Sequence, residues 1–116
     1  MKRILVLLVV ILFGANAYAG GLSEHDKIAY LLNVIAESKT TFIRNGIEYS
    51  GAQAKTHLQE KLDYAGSYIQ SADDFIAYIA SKSSITGKPY YVKSPDGTVM
   101  ESDKWLHKKL SEAGFN

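Results

Sequence analysis

Residues 42–49 of the chain read Phe-Ile-Arg-Asn-Gly-Ile-Glu-Tyr, two short runs joined by the pair Asn45-Gly46. This pattern predicts a β-hairpin with a two-residue type I′ turn, because that turn needs positive φ at both central positions. The turn also fixes the pairing register of the two strands. Since side chains alternate between the faces of a strand, Arg44 is expected on the same face as Phe42 and Tyr49.

The position of Arg44 among apolar side chains allows two interpretations. In the first, the aliphatic part of the side chain covers the neighbouring rings while the guanidinium group stays in water. In the second, the guanidinium is a preorganised donor at the edge of a pocket, where it suits a carboxylate or a phosphate. The first arrangement is the ordinary one, since charged groups beside apolar surface are common on proteins.

The first residues carry an export pattern. Met1-Lys2-Arg3 is followed by an apolar run from residue 4 to residue 13, and Ala17-Tyr18-Ala19 supplies a small-residue cleavage site. The three parts together predict a secretory signal peptide, and the apolar run is too short to span a bilayer. We therefore expect residues 1–19 to be removed and residues 20–116 to form a single globular domain. The expected location is the periplasm, or else the extracellular space, without membrane insertion after cleavage.

The charge balance does not favour a polyanionic partner. The chain has 13 Lys and Arg against 12 Asp and Glu, and removal of Lys2 and Arg3 with the signal would leave 11 against 12. The sequence has no block or stripe of basic residues, so we expect no nucleic-acid partner. The chain contains no Cys, which excludes disulfides, thiol catalysis and Cys-ligated metals. No cofactor is predicted.

Four segments are expected to be helical. Apolar residues at helical spacing follow Ser23, Ser50 and Ser71, and each of these serines is expected to cap the helix that it precedes. The third of these helices has a fully apolar face and is expected to be the most buried. Ser102 is expected to cap a last helix, whose apolar side includes Trp105.

A second hairpin is expected late in the chain. Residues 90–93 and 98–101 read as two strands around a turn at residues 94–97, with Pro second and Gly last as a type I turn prefers. No β-α-β alternation is present. The order therefore predicts an α+β fold, in which three to four helices pack on a small antiparallel sheet built from the two β-hairpins.

A polar loop between the third helix and this second hairpin is the first candidate site. Residues 81–89 bring together Ser83, Ser84, Thr86 and Lys88 within a few positions. Hydroxyl, ammonium and backbone N–H groups in such a loop can hold an anion. The alternative is a surface loop without a ligand, since turn-forming polar residues are the usual composition of loops.

His57 on the second helix is the next candidate. His57 and Glu60 share a helix face and offer two metal ligands, but a zinc site needs three or four, so no metal is predicted. A hydrolase in which His57 activates Ser83 or Ser84 is an alternative. The Gly-x-Ser-x-Gly motif that would support it is missing from the sequence, and no catalytic residue is assigned.

Tyr90 and Tyr91 begin a predicted strand, so their side chains must point to opposite faces. One ring can lie in the core and the other at the surface, although the favoured interpretation is that both rings cover a thin sheet in a small domain. An exposed tyrosine beside the polar loop would suit contact with a protein or a glycan, and Tyr90 is therefore included in the candidate site.

Several of these residues form an ordered series along the chain. The series comprises Phe42–Gly46, Ala54, His57-Leu58, Lys61, Phe75-Ile76 and Ser83–Tyr90. In order and spacing it resembles the YfeK-like family of small exported proteins of Gram-negative bacteria, a domain of unknown function. The resemblance covers nearly the whole chain after the predicted signal and implies a periplasmic address. It supplies no activity, cofactor or catalytic residue.

The leading hypothesis is a non-enzymatic binding or interaction module of the periplasm, whose partner is another periplasmic protein or a cell-envelope ligand. Its candidate binding residues are Arg44, His57, Ser83, Ser84, Thr86, Lys88 and Tyr90. The alternative is a small hydrolase or ligand-binding enzyme that uses His57 with Ser83 or Ser84. Convergence of these residues in one cleft would be hard to explain as scaffold.

Overall fold

The computed structural model describes residues 22–115, where four helices cover one face of a four-stranded antiparallel sheet. The elements are α1 (Glu24–Glu37), β1 (Thr41–Arg44), β2 (Ile47–Tyr49), α2 (Gly51–Ala65), α3 (Ala72–Asp74 continued by Phe75–Ile79), β3 (Tyr91–Lys93), β4 (Val99–Glu101) and α4 (Ser102–Glu112). The predicted α+β fold is confirmed. The predicted signal peptide, residues 1–19, lies outside the described residues. Between residues 22 and 115 no helix has the length and apolar character needed to cross a membrane.

The first hairpin has the predicted turn and register. Asn45 and Gly46 have φ of 52° and 79°, the positive values that a type I′ turn requires at both central positions. Phe42 pairs with Tyr49, and Arg44 pairs with Ile47. Arg44 therefore shares a face of the sheet with the aromatic residues, as the alternation of the strand predicts.

The two hairpins join into one sheet with the strand order β2-β1-β3-β4. The junction is an antiparallel pairing of β1 with β3, in which Phe42 lies opposite Val92. Both of these side chains are buried, whereas Glu48 and Tyr91 on the other face are exposed. The sheet thus contributes one face to the core and leaves the other to solvent.

The helices begin where the serines predict. The hydroxyls of Ser23, Ser50 and Ser71 each accept a hydrogen bond from a backbone N–H three residues later, at 3.1, 3.2 and 2.9 Å. At Ser50 the cap is reciprocal, because the side chain of Gln53 accepts from the Ser50 N–H at 2.9 Å. Such caps satisfy backbone donors that have no partner within the helix.

The prediction that Ser102 caps the last helix is wrong. Glu101 occupies the cap position without a side-chain hydrogen bond, and Ser102 is the first residue of α4. The N–H of Ser102 instead donates to the carbonyl of Tyr90 at 2.9 Å. The pairing of β3 with β4 continues by one residue into the helix start, which buries the serine.

Helix α3 buries Ala72, Phe75, Ile76 and Ile79, the residues of its predicted apolar face, but its backbone is unusual. After one α-helical turn it continues as a π-helix from Phe75 to Ile79, and the N–H of Ala80 bonds the carbonyl of Phe75 at 3.0 Å. π-Helical turns are rare and are found often at functional sites. The apolar spacing predicts the helix but not this bonding pattern.

The core lies between the inner face of the sheet and the four helices. Phe42 of β1 meets Trp105 of α4 edge to face, with ring centroids 5.5 Å apart. Leu31, Phe75 and Leu106 contribute fully buried side chains from α1, α3 and α4. Helix α2 packs mainly on α1, so its other side faces the first hairpin and the start of β3.

Candidate functional site

A cleft of about 440 Å³ opens between the first hairpin, α2 and the residue before β3. We call it the arginine cleft and define it by Arg44, Tyr49, His57 and Tyr90. Its volume falls in the range of small-molecule sites, roughly 300–1,000 Å³. The other lining residues are mainly apolar and include Phe42, Ala52, Ala54 and Leu58.

Arg44 reaches this cleft because it ends β1 on the inner face of the sheet. Its Nη2 donates to the hydroxyl of Tyr49 at 3.0 Å, and its guanidinium carbon lies 5.1 Å from the centre of the Tyr49 ring. Its Nη1 lies 3.4 Å from Nε2 of His57. These contacts hold the guanidinium at the cleft. Two of the five guanidinium N–H donors are engaged by these two bonds.

His57 projects from α2 between Arg44 and Tyr90. Its Nε2 lies 3.3 Å from the Tyr90 hydroxyl as well as 3.4 Å from Arg44. An arginine can only donate, so Nε2 must accept and the ring proton belongs on Nδ1. Burial lowers the pKa of His57, and the charges of Arg44 and Lys61 lower it further. The imidazole is therefore neutral at neutral pH.

Lys61 lies one helical turn beyond His57 and completes the cluster. Its Nζ donates to the carbonyls of Ile79 and Lys82 at 2.8 and 3.2 Å and to the Tyr90 hydroxyl at 3.1 Å. The Ile79 carbonyl is at the end of α3, where helix carbonyls lack partners within the helix. Burial, and then the charge of Arg44, lower the pKa of Lys61 to about 8. Through these three hydrogen bonds the ammonium connects α2 to the end of α3, to the polar loop and to Tyr90.

Tyr90 is buried at the base of the cleft, and only 7% of its surface is exposed, against 36% for Tyr91. The structure therefore places the Tyr90 ring in the core and the Tyr91 ring at the surface, rather than both as a cover of the sheet. The backbone N–H of Tyr90 donates to the carbonyl of Ser81 at 2.9 Å. Burial raises the pKa of the phenol. Its hydroxyl accepts from Lys61 at 3.1 Å and lies 3.3 Å from Nε2 of His57.

Two cations lie at the arginine cleft, Arg44 in its lining and Lys61 beside it. The ion pairs formed within residues 22–115 involve neither Arg44 nor Lys61. Glu60 also lines the cleft. Its charge raises the pKa of His57, but burial and the charges of Arg44 and Lys61 lower that pKa by more. In the same part of the chain no group of three or more His, Cys, Asp or Glu side chains is placed to hold a metal ion. Cations held by neutral partners are suited to an incoming anion.

The polar loop plays a different part from the cleft. The buried hydroxyl of Ser83 accepts from the Asn45 side chain at 3.3 Å and from the N–H groups of Ile85 and Thr86 at 3.3 and 3.2 Å. The Thr86 hydroxyl donates to the side-chain oxygen of Asn45 at 2.7 Å and accepts from the Lys88 N–H at 3.2 Å. Ser83 and Thr86 therefore fasten the loop to the hairpin turn.

The remaining candidate residues separate in space. Ser84 is exposed and lines a second cleft together with His57. Lys88 is exposed beside Ile43 and Tyr91, in a surface depression on the outer side of the hairpin. Of the seven predicted binding residues, Arg44, His57 and Tyr90 meet in the arginine cleft.

The serine–histidine alternative finds no support in this geometry. Within the described residues, the side-chain hydrogen bonds of His57 go to Arg44 and Tyr90. Ser83 and Ser84 make none with the imidazole, and the Ser83 hydroxyl already accepts from three N–H donors. A nucleophile needs to lie within hydrogen-bond reach of its base.

Two members of the cluster, Tyr49 and Lys61, are not among the predicted binding residues. Both have a local signal. Lys61 follows His57 by four residues on a helix, a spacing that places two side chains on one face. Tyr49 pairs with Phe42, which places it on the face of Arg44. The bonds of Asn45 to Ser83 and Thr86 have no such signal, because they join residues far apart in the sequence.

The fold and the cleft together define a small α+β protein with a largely apolar, arginine-lined cleft beside a β-hairpin. A family of unknown function (DUF5329) matches residues 22–114, and the chain belongs to this family. The chain is also similar to the uncharacterized protein YfeK of Salmonella typhimurium (strain LT2), with 40% identity over 92 residues that cover 78% of this chain and 77% of that protein. The predicted family resemblance is confirmed. No solved structure matches the chain.

Proposed function

We propose that this chain is an exported, non-enzymatic binding module of the periplasm whose arginine cleft holds a ligand through a carboxylate group. The observation that carries the proposal is the cluster of Arg44, His57 and Lys61 around Tyr90, without an ion pair to either cation within the described residues. A guanidinium held by neutral groups keeps its attraction for an anion, and its planar fork matches a carboxylate.

A carboxylate with an apolar body fits this cleft better than a phosphate. The three protons of the Lys61 ammonium already have acceptors, two of them backbone carbonyls. Arg44 is then the main cation with free donors for a ligand, and one guanidinium suits a single negative charge. Phe42 and Leu58 line the same cleft and can cover an apolar group next to the carboxylate.

Binding without catalysis is favoured by the state of the polar groups. The Tyr90 hydroxyl and the His57 imidazole are engaged with each other, with Lys61 and with Arg44. Each group thus serves to orient another. The periplasmic address is supported by the signal pattern of residues 1–19, and it limits the partner to a periplasmic protein or a cell-envelope ligand. Fractionation of cells that express the full chain, with antibody detection, tests the address.

The binding proposal is tested by titration of the mature chain with benzoate, followed by calorimetry and by the ¹H–¹⁵N spectrum. Benzoate combines a carboxylate with an apolar ring, and benzamide is its neutral counterpart. We expect benzoate to shift the signals of Arg44, Tyr49 and Gln53, and benzamide to bind at least about tenfold more weakly, as loss of a charged hydrogen bond implies. Equal binding of the two probes would overturn the proposal.

Arg44→Gln is the informative variant, since it keeps a polar side chain of similar length without the charge. It is expected to weaken benzoate binding by roughly ten- to a hundredfold, the range for hydrogen bonds to charged groups. Lys39→Gln is the matched control, because Lys39 is exposed in the connection between α1 and β1. Its benzoate affinity should equal that of the parent protein. An equal loss in both variants would show only general attraction to positive charge.

A further inference from the structure

A second cleft of about 660 Å³ adjoins the arginine cleft. We call it the tyrosine cleft and define it by Tyr64, Tyr68 and Tyr78. Its other lining residues include His57, Glu60, Lys61, Ile79 and Ser84. His57 and Glu60 line both clefts, so the two form one continuous surface.

The three tyrosines are unusual in their exposure. Tyr64, Tyr68 and Tyr78 are 95%, 87% and 68% exposed, although each carries a large aromatic ring. Tyr64 lies near the end of α2, Tyr68 in the turn that follows it, and Tyr78 in the π-helical part of α3. Contributions from separate elements to one cleft are hard to explain by core packing, because none of the three rings is covered.

The tyrosine lining of the cleft favours a ring-shaped, hydroxylated ligand. A tyrosine offers an apolar ring face and a polar hydroxyl at its tip. A sugar ring has the matching character, with C–H groups on its face and hydroxyls around its rim. The cleft is also concave and of small-ligand volume, whereas stable protein interfaces extend over roughly 800 Å² on each partner.

The charges fix the direction of such a ligand. Arg44 attracts a carboxylate at one end of the continuous surface. Glu60 lines both clefts, where its carboxylate accepts hydrogen bonds from hydroxyls and disfavours any negative charge that Arg44 does not contact. The ligand part that extends over Glu60 to the tyrosines must therefore be neutral and rich in donors.

We infer that the two clefts together bind an acidic glycan, with a carboxylate-bearing sugar at Arg44 and a neutral sugar ring against Tyr64, Tyr68 and Tyr78. This inference rests on the proposed function for the Arg44 end only. The tyrosine cleft indicates that the ligand is a glycan. It also provides a second contact, which a small carboxylate bound at Arg44 does not reach.

Four probes test the inference by calorimetry on the mature chain. They are glucuronic acid, a disaccharide of glucuronic acid linked to N-acetylglucosamine, the neutral disaccharide diacetylchitobiose and the dipeptide Ala-Ala. We expect the acidic disaccharide to bind about tenfold more tightly than glucuronic acid, because an added ring stacks on aromatic side chains. Diacetylchitobiose should bind more weakly than the acidic disaccharide. Tighter binding of Ala-Ala than of the acidic disaccharide would overturn the inference in favour of a peptide ligand.

The double variant Tyr64→Ser, Tyr68→Ser separates the two proposals. The acidic disaccharide should then bind no more tightly than glucuronic acid, while benzoate binding stays unchanged. Ile85→Ser is the control, since Ile85 is exposed and does not line either cleft. If the double variant keeps the full affinity for the disaccharide, the glycan inference fails and carboxylate binding at Arg44 stands. If benzoate also fails to bind the parent protein, the proposed function fails with it.

Discussion

The hydroxyl of Thr86 donates a 2.7 Å hydrogen bond to the side-chain oxygen of Asn45, which lies 41 residues earlier in the chain. The amide nitrogen of the same Asn45 donates to Ser83 at 3.3 Å. Asn45 thus shapes the hairpin turn through its backbone and holds the polar loop through its side chain. Since the loop leads directly into Tyr90, these bonds set the position of the loop against the hairpin that carries Arg44.

The substitution Asn45→Gly tests this link, because glycine keeps the positive φ of the turn at no steric cost and removes only the side chain. We expect the free energy of unfolding to fall by about 1–2 kcal/mol, the usual cost of one or two partly buried hydrogen bonds. Urea denaturation measures it. Amide exchange should quicken at Gly87, whose N–H donates to the Ser83 carbonyl at 2.9 Å.

Thr86→Val should lower the free energy of unfolding by a comparable amount, because it removes the bond to Asn45 and the bond from the Lys88 N–H. Thr56→Val is the control, since the Thr56 hydroxyl is exposed and bonds a carbonyl of its own helix at 3.1 Å. A parental urea midpoint for Asn45→Gly, with parental exchange at Gly87, would show that the link contributes no stability.

Gly51 marks a close approach of two helices. A methyl group at this position would overlap the carbonyl oxygen of Ile35 and lie 3.2 Å from the carbonyl oxygens of Ala36 and Ser38. We expect Gly51→Ala to lower the free energy of unfolding by about 1–3 kcal/mol, because backbone atoms must shift to admit it. Ala52→Ser adds one atom at the exposed neighbouring position and should stay within about 0.5 kcal/mol of the parent. Equal urea midpoints for Gly51→Ala and the parent protein would contradict the close approach.

Most of the fold follows from patterns shorter than one element. The Asn45-Gly46 turn, the serine caps and the apolar helix faces each rest on residues within a few positions of one another, so the sequence predicts them. Ser102 shows where this fails. The residues around Ser102 suit a cap, but the backbone N–H of Ser102 donates to the carbonyl of Tyr90 and extends the pairing of β3 with β4. The π-helical turn of α3 likewise depends on packing that no local pattern records.

Some features of the candidate site are also predicted by local sequence patterns, and others are not. Alternation within β1 predicts the face of Arg44, and helical spacing relates His57 to Lys61. The meeting of these side chains with Tyr90 depends on how α2 lies against the sheet, which the sequence alone does not give. Ser83 and Thr86 have the chemistry of anion ligands, yet their hydroxyls are taken by Asn45 and by the loop itself. Composition alone does not distinguish these two uses of a hydroxyl.

The low pKa of Lys61, about 8, is open to direct measurement. A titration of the lysine side-chain ¹³Cε signals should place the midpoint of Lys61 near this value. Lys104 is the control, because its hydrogen bond to Glu101 raises its pKa. In Arg44→Gln the midpoint of Lys61 should rise, since a neighbouring positive charge has been removed. A midpoint at the ordinary value of 10.5 in the parent protein would contradict the burial of the ammonium.

The same shift predicts a pH dependence of stability. Between about pH 8 and pH 10 the unfolded chain keeps the Lys61 proton and the folded chain loses it, so this group makes stability rise with pH. Lys61→Met has no titrating group at this position, so its stability lacks this rise with pH. The difference in unfolding free energy between the parent and this variant should therefore increase over that range, as urea denaturation at several pH values will show. A constant difference would contradict the prediction.

The lowered pKa of His57 predicts a loss of stability at acid pH. Below its ordinary pKa of 6.5 the imidazole of the unfolded chain takes up a proton before that of the folded chain. Stability should therefore fall as the pH drops below this value. The loss of unfolding free energy per pH unit should be smaller than the maximum of about 1.4 kcal/mol for one proton, because His57 is partly solvated. His57→Asn should show a shallower decline in acid urea denaturation, and identical declines would contradict the burial of the imidazole.

Carboxylate binding should strengthen as the pH falls from about 7.5 to 5.5, because His57 can then be protonated beside the ligand. In the free protein the Arg44 guanidinium, 3.4 Å away, opposes that proton. A bound carboxylate offsets this repulsion and raises the pKa of His57, so binding takes up a proton. Calorimetry of benzoate binding in buffers of different ionisation enthalpy measures the uptake. His57→Asn should bind benzoate with little change over this range, whereas an equal pH dependence in the variant would assign the proton to another group.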